Sequence, residues 1–253
     1  MRNIRAGVSL LLVSLLLFSC VKKQAIKKME VEPYAGPVTT EILKKHVGLR
    51  NVKSIKSLVD IKIYRDAEPI SDLNGVLGYE SSGFMRVSLF GPFGLTVTDL
   101  LLSGNLLQMY IPPKNILYES KMPEFSFDAL MNGGFIYSME DKEDVFVLYA
   151  FKPEDNNIEL VAKYMFDSTY LLNKSILIYK KGAEILRVDF RDFNGRTPQR
   201  AEVSFNNGMT IDVLLQEPEF DADIPDSYFS AFEHGDKKVL PFQEVLKRLE
   251  PSR

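Results

Sequence analysis

The stretch Leu89–Leu100 (LFGPFGLTVTDL) decides the predicted fold, because it joins two strands through a tight turn. Before it, Met85, Val87 and Leu89 alternate with polar side chains, which is the period-two pattern of a half-buried strand. Proline fixes φ and glycine permits a positive φ, so the GPFG sequence at the centre predicts a well-defined turn. Phe93 at the tip of this turn is either covered by another loop or exposed for a purpose.

Strands with the same alternation follow one another on both sides of this hairpin. One run contains Val59, Ile61 and Ile63, and Asn-Gly turns such as Asn194-Gly195 separate later runs. The other strand candidates are 76–79, 107–111, 116–118, 145–151, 158–166, 174–179, 184–193, 200–205 and 210–215. Residues 72–75 predict a turn, and the acidic run 140–144 predicts a solvated loop. About eleven strands joined by short connections predict a mainly β fold with one large, curved antiparallel sheet.

Three short helices accompany this sheet in the prediction. The first covers residues 40–50, with Thr39 as its N-cap, and the second covers 125–131. The third covers 241–249, where four side chains form an apolar face: Phe242, Val245, Leu246 and Leu249.

So few helices leave much of a large sheet uncovered. The helices must fill the concave face as a plug, or this face must hold something apolar. Ten apolar side chains are the candidates for lining such a cavity: Val59, Ile61, Ile63, Met85, Val87, Leu89, Leu107, Met109, Ile111 and Met165. The alternative is that they are ordinary core residues.

The N-terminus has the layout of a lipoprotein signal peptide over residues 1–19. Two arginines precede an apolar run that is too short to span a bilayer comfortably, and the run ends in LFSC, which is similar to a bacterial lipobox. Cys20 is the predicted lipidation site. Val21 after it, in place of aspartate, favours the outer membrane, with the protein facing the periplasm. Residues 20–37, rich in lysine and proline, predict a tether between the lipid anchor and the folded domain.

Composition excludes several classes of function. Residues 1–19 hold two of the 31 Lys and Arg residues and none of the 34 Asp and Glu residues, so without them the net charge changes from −3 to −5. An acidic chain gives no electrostatic reason to bind nucleic acid. Cys20 is the one cysteine, so no disulfide forms within the chain, and His46 and His234 are too far apart for a zinc motif. No GxSxG motif or phosphate loop is present, so we predict no enzyme, no metal site and no cofactor.

The segment from Lys44 to Tyr118 resembles the LolA/LolB superfamily, and most of all the outer-membrane lipoprotein receptors named LolB. The resemblance rests on the lipobox, a short helix, paired strands and the GPFG turn. Asp189–Gly195 and Ala222–Phe229 are similar to the later strands and tail of the LolA carriers. This chain differs in having Phe93 where the receptors have leucine, in lacking tryptophan, and in a predicted helix at the C-terminus.

The resemblance implies a single lipid-binding domain over residues 38–253, with a C-terminal helix. Its fold would be an incomplete β-barrel whose short helices cover an apolar cavity for acyl chains. Its function would be to accept lipoproteins from a periplasmic LolA-like carrier, as a monomer, and to insert them into the outer membrane. The membrane-insertion loop would consist of Gly91, Pro92, Phe93 and Gly94. Alternatives are a lipid-anchored scaffold that binds envelope partners through its sheet edge, or a carrier of another lipid such as lipopolysaccharide or glycolipid.

Overall fold

The computed structural model describes residues 29–49, 52–121, 134–154 and 157–245. In this part of the chain, fourteen strands form one sheet, which one complete helix, α1 (Thr40–Lys45), precedes. The strands are β1 (Ser54–Arg65), β2 (Glu68–Glu80), β3 (Phe84–Phe90), β4 (Thr96–Ser103), β5 (Leu106–Ile111), β6 (Ile116–Lys121), β7 (Ile136–Lys142), β8 (Val145–Glu154), β9 (Asn157–Asp167), β10 (Asn173–Lys180), β11 (Ala183–Asn194), β12 (Thr197–Phe205), β13 (Met209–Phe220) and β14 (Lys238–Pro241). The predicted mainly β fold is confirmed.

The sheet consists of two meanders that meet in its middle. Its strand order is β14-β6-β5-β4-β3-β2-β1-β13-β12-β11-β10-β9-β8-β7. The β1–β13 pair joins β1–β6 to β7–β13, and all neighbours are antiparallel except β14, which pairs in parallel with β6. Because β14 and β7 lie at opposite edges of this order, the sheet remains open and forms an incomplete barrel.

The first hairpin turns at Asp66 and Ala67, so the predicted turn at 72–75 is wrong. Both residues have positive φ angles, 51° and 68°, as a two-residue hairpin turn requires. Gly75 lies inside β2, where an added Cβ would come within 2.3 Å of the backbone oxygen of Ser88 on β3. This glycine therefore allows two strands to approach closely and does not mark a turn.

Residues 140–144 are not the predicted loop, because residues 140–142 belong to the edge strand β7. All of its side chains but one are exposed. A strand with water on both faces needs no alternation of polar and apolar residues, so its sequence carries no strand signal.

Helix α1 is shorter than the predicted 40–50 and ends at Lys45. Thr39 caps it as predicted, since the Ile42 N–H donates to the Thr39 Oγ1 at 3.2 Å. Gly48, with a φ of 58°, then turns the chain out of the helix. The predicted helix 125–131 lies outside the described residues, as does the end of the predicted helix 241–249, of which 243–245 are helical.

Helix α1 lies across strands β8–β10, where Leu43 and Val47 are buried. The other buried residues of this cluster are Leu148, Ala150, Ala162, Tyr164, Phe166 and Leu171. Burial of a large apolar side chain contributes about 1.5–3 kcal/mol, whereas six residues are too few for a stable isolated helix. Tertiary packing therefore holds α1 in place. We call the sheet face that α1 covers the inner face, and the opposite face the outer face.

The described chain begins at Met29, at one end of the strands. The Met29 N–H donates to the Asn194 Oδ1 at 2.7 Å, and the Met29 carbonyl accepts from the Gly195 N–H at 3.1 Å. Further on, the Tyr34 N–H donates to the Thr169 carbonyl at 2.8 Å. Residues 29–37 of the predicted tether therefore lie against the folded body, while residues 20–28 lie outside the described part.

The segment that follows β13, residues 221–237, covers the outer face of β2–β5. Ile224 and Phe229 are buried there against Leu101 of β4. No helix in the described part of the chain is long and apolar enough to cross a membrane.

Candidate functional site

Cross-strand pairing relates the predicted cavity residues to α1. Opposed residues in an antiparallel ladder share a face of the sheet. One row of such partners crosses seven strands from β1 to the α1 cluster: Ile63, Ile211, Val203, Val188, Ile176, Tyr164 and Leu148. The β1 residues of the predicted cavity therefore lie on the inner face.

The same pairing continues through β2 to β5. Val59 is opposite Gly75, which is opposite Leu89, and Val87 is opposite Leu100, which is opposite Met109. Nine of the ten candidates thus share the inner face: Val59, Ile61, Ile63, Met85, Val87, Leu89, Leu107, Met109 and Ile111.

Met165 is the exception, because the structure places it on the outer face. It is opposite Val147 of β8, whereas the inner positions of β9 are those of Ala162, Tyr164 and Phe166. Tyr164, Met165 and Phe166 form a continuous apolar run, but Lys163 and Asp167, two positions to either side of Met165, are polar and share its face. A shift of one residue moves a side chain to the other face of a sheet.

The sequence prediction missed the inner residues of the intervening strands. They are Leu73 and Leu77 on β2, Leu100 and Leu102 on β4, and Ile116 and Tyr118 on β6. Runs such as Leu100-Leu101-Leu102 have no alternation, and only the register assigns their faces. Together with the nine candidates they form a continuous apolar surface across β1–β6, and Arg65 with Glu68 opposite it follows on this face at the end of the β1–β2 hairpin.

This surface is buried at one side and half-buried over the rest. Val59 is 2% exposed and packs with Ile55, Leu77 and Tyr79, while Met85, Val87 and Leu89 are partly buried against the same cluster. Leu49 and Val52, from the turn after α1, also contact it. An uncharged, continuous surface of this kind suits the apolar part of a ligand.

The polar positions of the same strands point to the outer face, where they form ion pairs. Arg86 donates to both carboxylate oxygens of Asp99, at 3.0 and 2.6 Å, and to the Tyr228 carbonyl at 2.8 Å. Hydrogen bonding with Asp99 raises the pKa of Arg86, so this guanidinium stays charged. The charges of β3 and β4 thus fasten the segment 221–237, and they leave the inner face apolar.

A second outer-face contact fastens the same segment near its end. Gln108 of β5 accepts from the Phe232 N–H at 2.8 Å and donates to Glu119 at 2.7 Å. Glu119 also contacts the His234 ring at 3.2 Å. The hydrogen bonds of Glu119 with Gln108 and with His234 hold the pKa of this carboxyl group below its ordinary value.

The turn between β3 and β4 presents the most exposed apolar side chain in the described residues. Phe93 is 100% exposed and Leu95 is 68% exposed. The turn is closed by hydrogen bonds from Gly91 N–H to the Leu95 carbonyl at 2.8 Å and from Gly94 N–H to the Gly91 carbonyl at 3.2 Å. Phe93 itself has a φ of 65°, which is uncommon for a residue with a Cβ.

A further apolar side chain lies at the same end of the sheet. The last pair between β2 and β3 is Asn74–Phe90, so residues 68–73 of β2 extend beyond β3 toward this end. Ile70 in that extension is 56% exposed. We call Ile70, Phe93 and Leu95 the apolar tip.

Other predicted features fall outside the site or outside the described residues. Cys20 and the signal peptide, residues 1–19, lie in the part of the chain that is not described. Within residues 29–49, 52–121, 134–154 and 157–245, no three His, Cys, Asp or Glu side chains are grouped as a metal site would need. The functional features to explain are therefore the apolar surface across β1–β6 and the apolar tip.

Several solved structures share this architecture. A LolA superfamily protein from Nitrosomonas europaea is similar over 77% of this chain and 99% of its own, with a TM-score of 0.56 and 12% identity. A putative outer membrane lipoprotein-sorting protein domain from Vibrio parahaemolyticus is similar over 76% of this chain and 95% of its own, with a TM-score of 0.55 and 13% identity. A protein from a family of unknown function in Desulfovibrio piger has a TM-score of 0.56 and 12% identity, over 76% of this chain and 95% of its own.

At these identities the similarity shows the fold alone, and this fold is LolA-like: an open, barrel-like antiparallel sheet with a helix on its inner face. No family model and no curated protein matches the sequence.

Proposed function

We propose that this protein is a lipid-anchored outer-membrane protein, facing the periplasm, that binds acyl chains on its inner face. It receives lipoproteins from a LolA-like carrier and helps to insert them into the outer membrane, as LolB-like receptors do. The observation that carries the proposal is the uncharged apolar surface across β1–β6. The LolA-like fold and the lipobox at Cys20 support it.

The energetics of such a surface suit a carrier. Transfer of a CH₂ group from water to an apolar surface contributes about 0.8 kcal/mol, so a long acyl chain gains several kcal/mol even when it is partly covered. The apolar surface across β1–β6 adds little directional bonding, so the cargo is recognised by its apolar chains. A protein that accepts and then delivers cargo needs this kind of reversible binding, and we therefore propose a binding protein rather than an enzyme.

The test measures binding of a fluorescent fatty acyl probe to a soluble Cys20→Ala form. We expect saturable binding at low micromolar affinity, which corresponds to about 8 kcal/mol. Met109→Glu and Ile61→Glu place an uncompensated charge on the inner face and should weaken binding at least tenfold. Lys62→Glu is the matched control, because Lys62 neighbours Ile61 on β1 but points outward, in an exposed pair with Asp72.

Two outcomes would contradict this function. Absence of saturable binding would favour the scaffold, which contacts envelope partners through a sheet edge. Equal weakening by Ile61→Glu and Lys62→Glu would mean that the probe does not occupy the inner face. Mass spectrometry of lipid that copurifies with the gently extracted wild type separates lipoprotein acyl chains from lipopolysaccharide or glycolipid.

A further inference from the structure

The outer face holds a cavity of about 470 Å³ beside the segment that follows β13. Its apolar lining includes Leu58, Val76, Gly78, Ile224, Pro225 and Tyr228. This volume is in the range of ligand-binding sites. Leu58 is 50% exposed there, so a large apolar side chain in the middle of the sheet lacks a cover. Because this cavity lies on the other side of the sheet, it is separate from the proposed acyl-binding surface.

The backbone gives the cavity its shape. An added Cβ at Gly78 would come within 2.5 Å of the Tyr228 ring, so this ring lies directly on the backbone of β2. In the part of the lining that β1 and β13 form, the pairing register shifts between Lys56 and Leu58, and Glu217 of β13 has a φ of 51°. A bulge of this kind redirects side chains, and here it leaves Glu217 beside the cavity.

Carboxylates dominate the charged part of the lining. Glu217, Glu219 and Asp223 line the cavity together with a single cation, Lys56. An apolar floor with an acidic border complements an apolar side chain that has cationic neighbours.

The residues just before the described chain have this composition. Val21–Lys28 (VKKQAIKK) contains four lysines, no acidic residue, and the apolar residues Val21, Ala25 and Ile26. The segment also ends close to the cavity, because Met29 lines a neighbouring depression together with Phe220 and Asp221. Phe220 follows Glu219 in the sequence, and Asp221 is two residues before Asp223. Eight extended residues reach at most about 28 Å from Met29.

We infer that Val21–Lys28 docks in the outer-face cavity, with an apolar side chain on Leu58 and Val76 and lysines beside Glu217, Glu219 and Asp223. A docked segment holds the lipidated Cys20 beside the outer face of the domain. Anionic lipid headgroups attract the same lysines, so the membrane and the cavity compete for one segment.

The test uses paramagnetic relaxation in the mature chain. Because Cys20 is the only cysteine, a Cys20→Ala/Ala25→Cys chain accepts a single nitroxide label in the segment. We expect the label to broaden the methyl signals of Leu58, Val76 and Ile224 at least twofold relative to the reduced label. The double change Glu219→Lys/Asp223→Lys should remove this broadening, because it reverses the charge of the border.

A matched control reverses two carboxylates at another exposed site, Glu68→Lys/Asp72→Lys, and should keep the broadening. Methyl spectra of the unlabelled variants report whether each one is folded. Absence of broadening at the cavity, or broadening that survives the charge reversal at Glu219 and Asp223, would overturn the inference. Broadening that appears only at high protein concentration would also overturn it, since the occupant would then be a second copy of the chain.

Discussion

At the scale of single residues, Phe93 is notable because its position gives the fold little stability. Its side chain is fully exposed, and its φ of 65° costs a residue with a Cβ about 1 kcal/mol. A glycine would fit this conformation better. A large apolar side chain held outward at such a site is consistent with a contact outside the molecule, and under the proposed function that contact is the membrane interface.

This exposure gives a prediction for Phe93→Glu. The change should alter the free energy of unfolding by less than about 0.5 kcal/mol, because no buried contact is lost. Burial of one Phe in an interface contributes about 1.5–3 kcal/mol, so transfer of the acyl probe to liposomes should slow at least tenfold. Thermal denaturation and transfer rates measured on the same samples check both parts. Phe93→Leu is the control and should keep transfer, whereas a stability loss of several kcal/mol in Phe93→Glu would mean that Phe93 is part of the core.

The sheet face of a site residue could be predicted from the sequence where its neighbours along the strand differ from it in polarity. Met85, Val87 and Leu89 alternate with polar residues, so their common face could be predicted from the sequence. Met165 lies within the apolar run Tyr164–Phe166, but it shares its face with the polar residues Lys163 and Asp167, a pattern that agrees with its outward position in the register with β8. Asn74-Gly75 is a typical turn sequence, but Gly75 lies inside β2 and allows β3 to approach it closely. The local sequence around Gly75 does not show this contact, because it is made with another strand.

At the scale of elements, the segment 221–237 depends on ion pairs that the sequence did not reveal. Arg86 joins Asp99 to the Tyr228 carbonyl, and the side chains of Arg86 and Asp99 are 22% and 10% exposed. Its guanidinium also lies over the rings of Tyr228 and Phe232, at 5.4 and 5.0 Å. A half-buried charge with this many contacts is costly to leave without its partner.

We therefore predict that Asp99→Ala destabilises the fold by about 2–3 kcal/mol in urea denaturation, because it leaves Arg86 without its carboxylate. Hydrogen exchange should also become faster at the Tyr228 and Phe232 amides. Asp189→Ala is the matched control, because its pair with Arg187 is more exposed and should cost less than about 1 kcal/mol. Equal losses for the two variants would show that Arg86 does not fasten the segment.

Edge elements explain why the number of strands was underestimated. The central strands could be predicted because one of their faces is buried, which imposes alternation. β7 has side chains exposed on both faces, and β14 is four residues long and pairs in parallel with β6, so neither has a periodic pattern. Such strands are defined by the neighbour that they pair with, and this neighbour is not apparent from the local sequence.

At the scale of the whole molecule, the apolar tip and the start of the described chain lie at opposite ends of the strands. β3 ends beside the tip, whereas Met29 is bonded to the turn between β11 and β12, at the end where β1 and β3 begin. Strands of nine to twelve residues, such as β11 and β12, separate these ends by about 30–40 Å. Cys20 is nine residues before Met29, which allows a reach of at most about 30 Å.

These lengths predict that the tip reaches the membrane that holds Cys20 only if the domain tilts. We expect this tilt to require the full length of residues 20–28. Deletion of Gln24–Lys27 in the lipidated protein should at least halve the quenching, by brominated lipids, of a fluorophore at position 93. Replacement of residues 22–28 by glycine and serine of equal length should keep the quenching, because it preserves reach while it removes the lysines that dock or bind headgroups. Unchanged quenching after the deletion would mean that the tip meets this membrane without tilting, and loss of quenching in the replacement would mean that the lysines, and not the length, orient the domain.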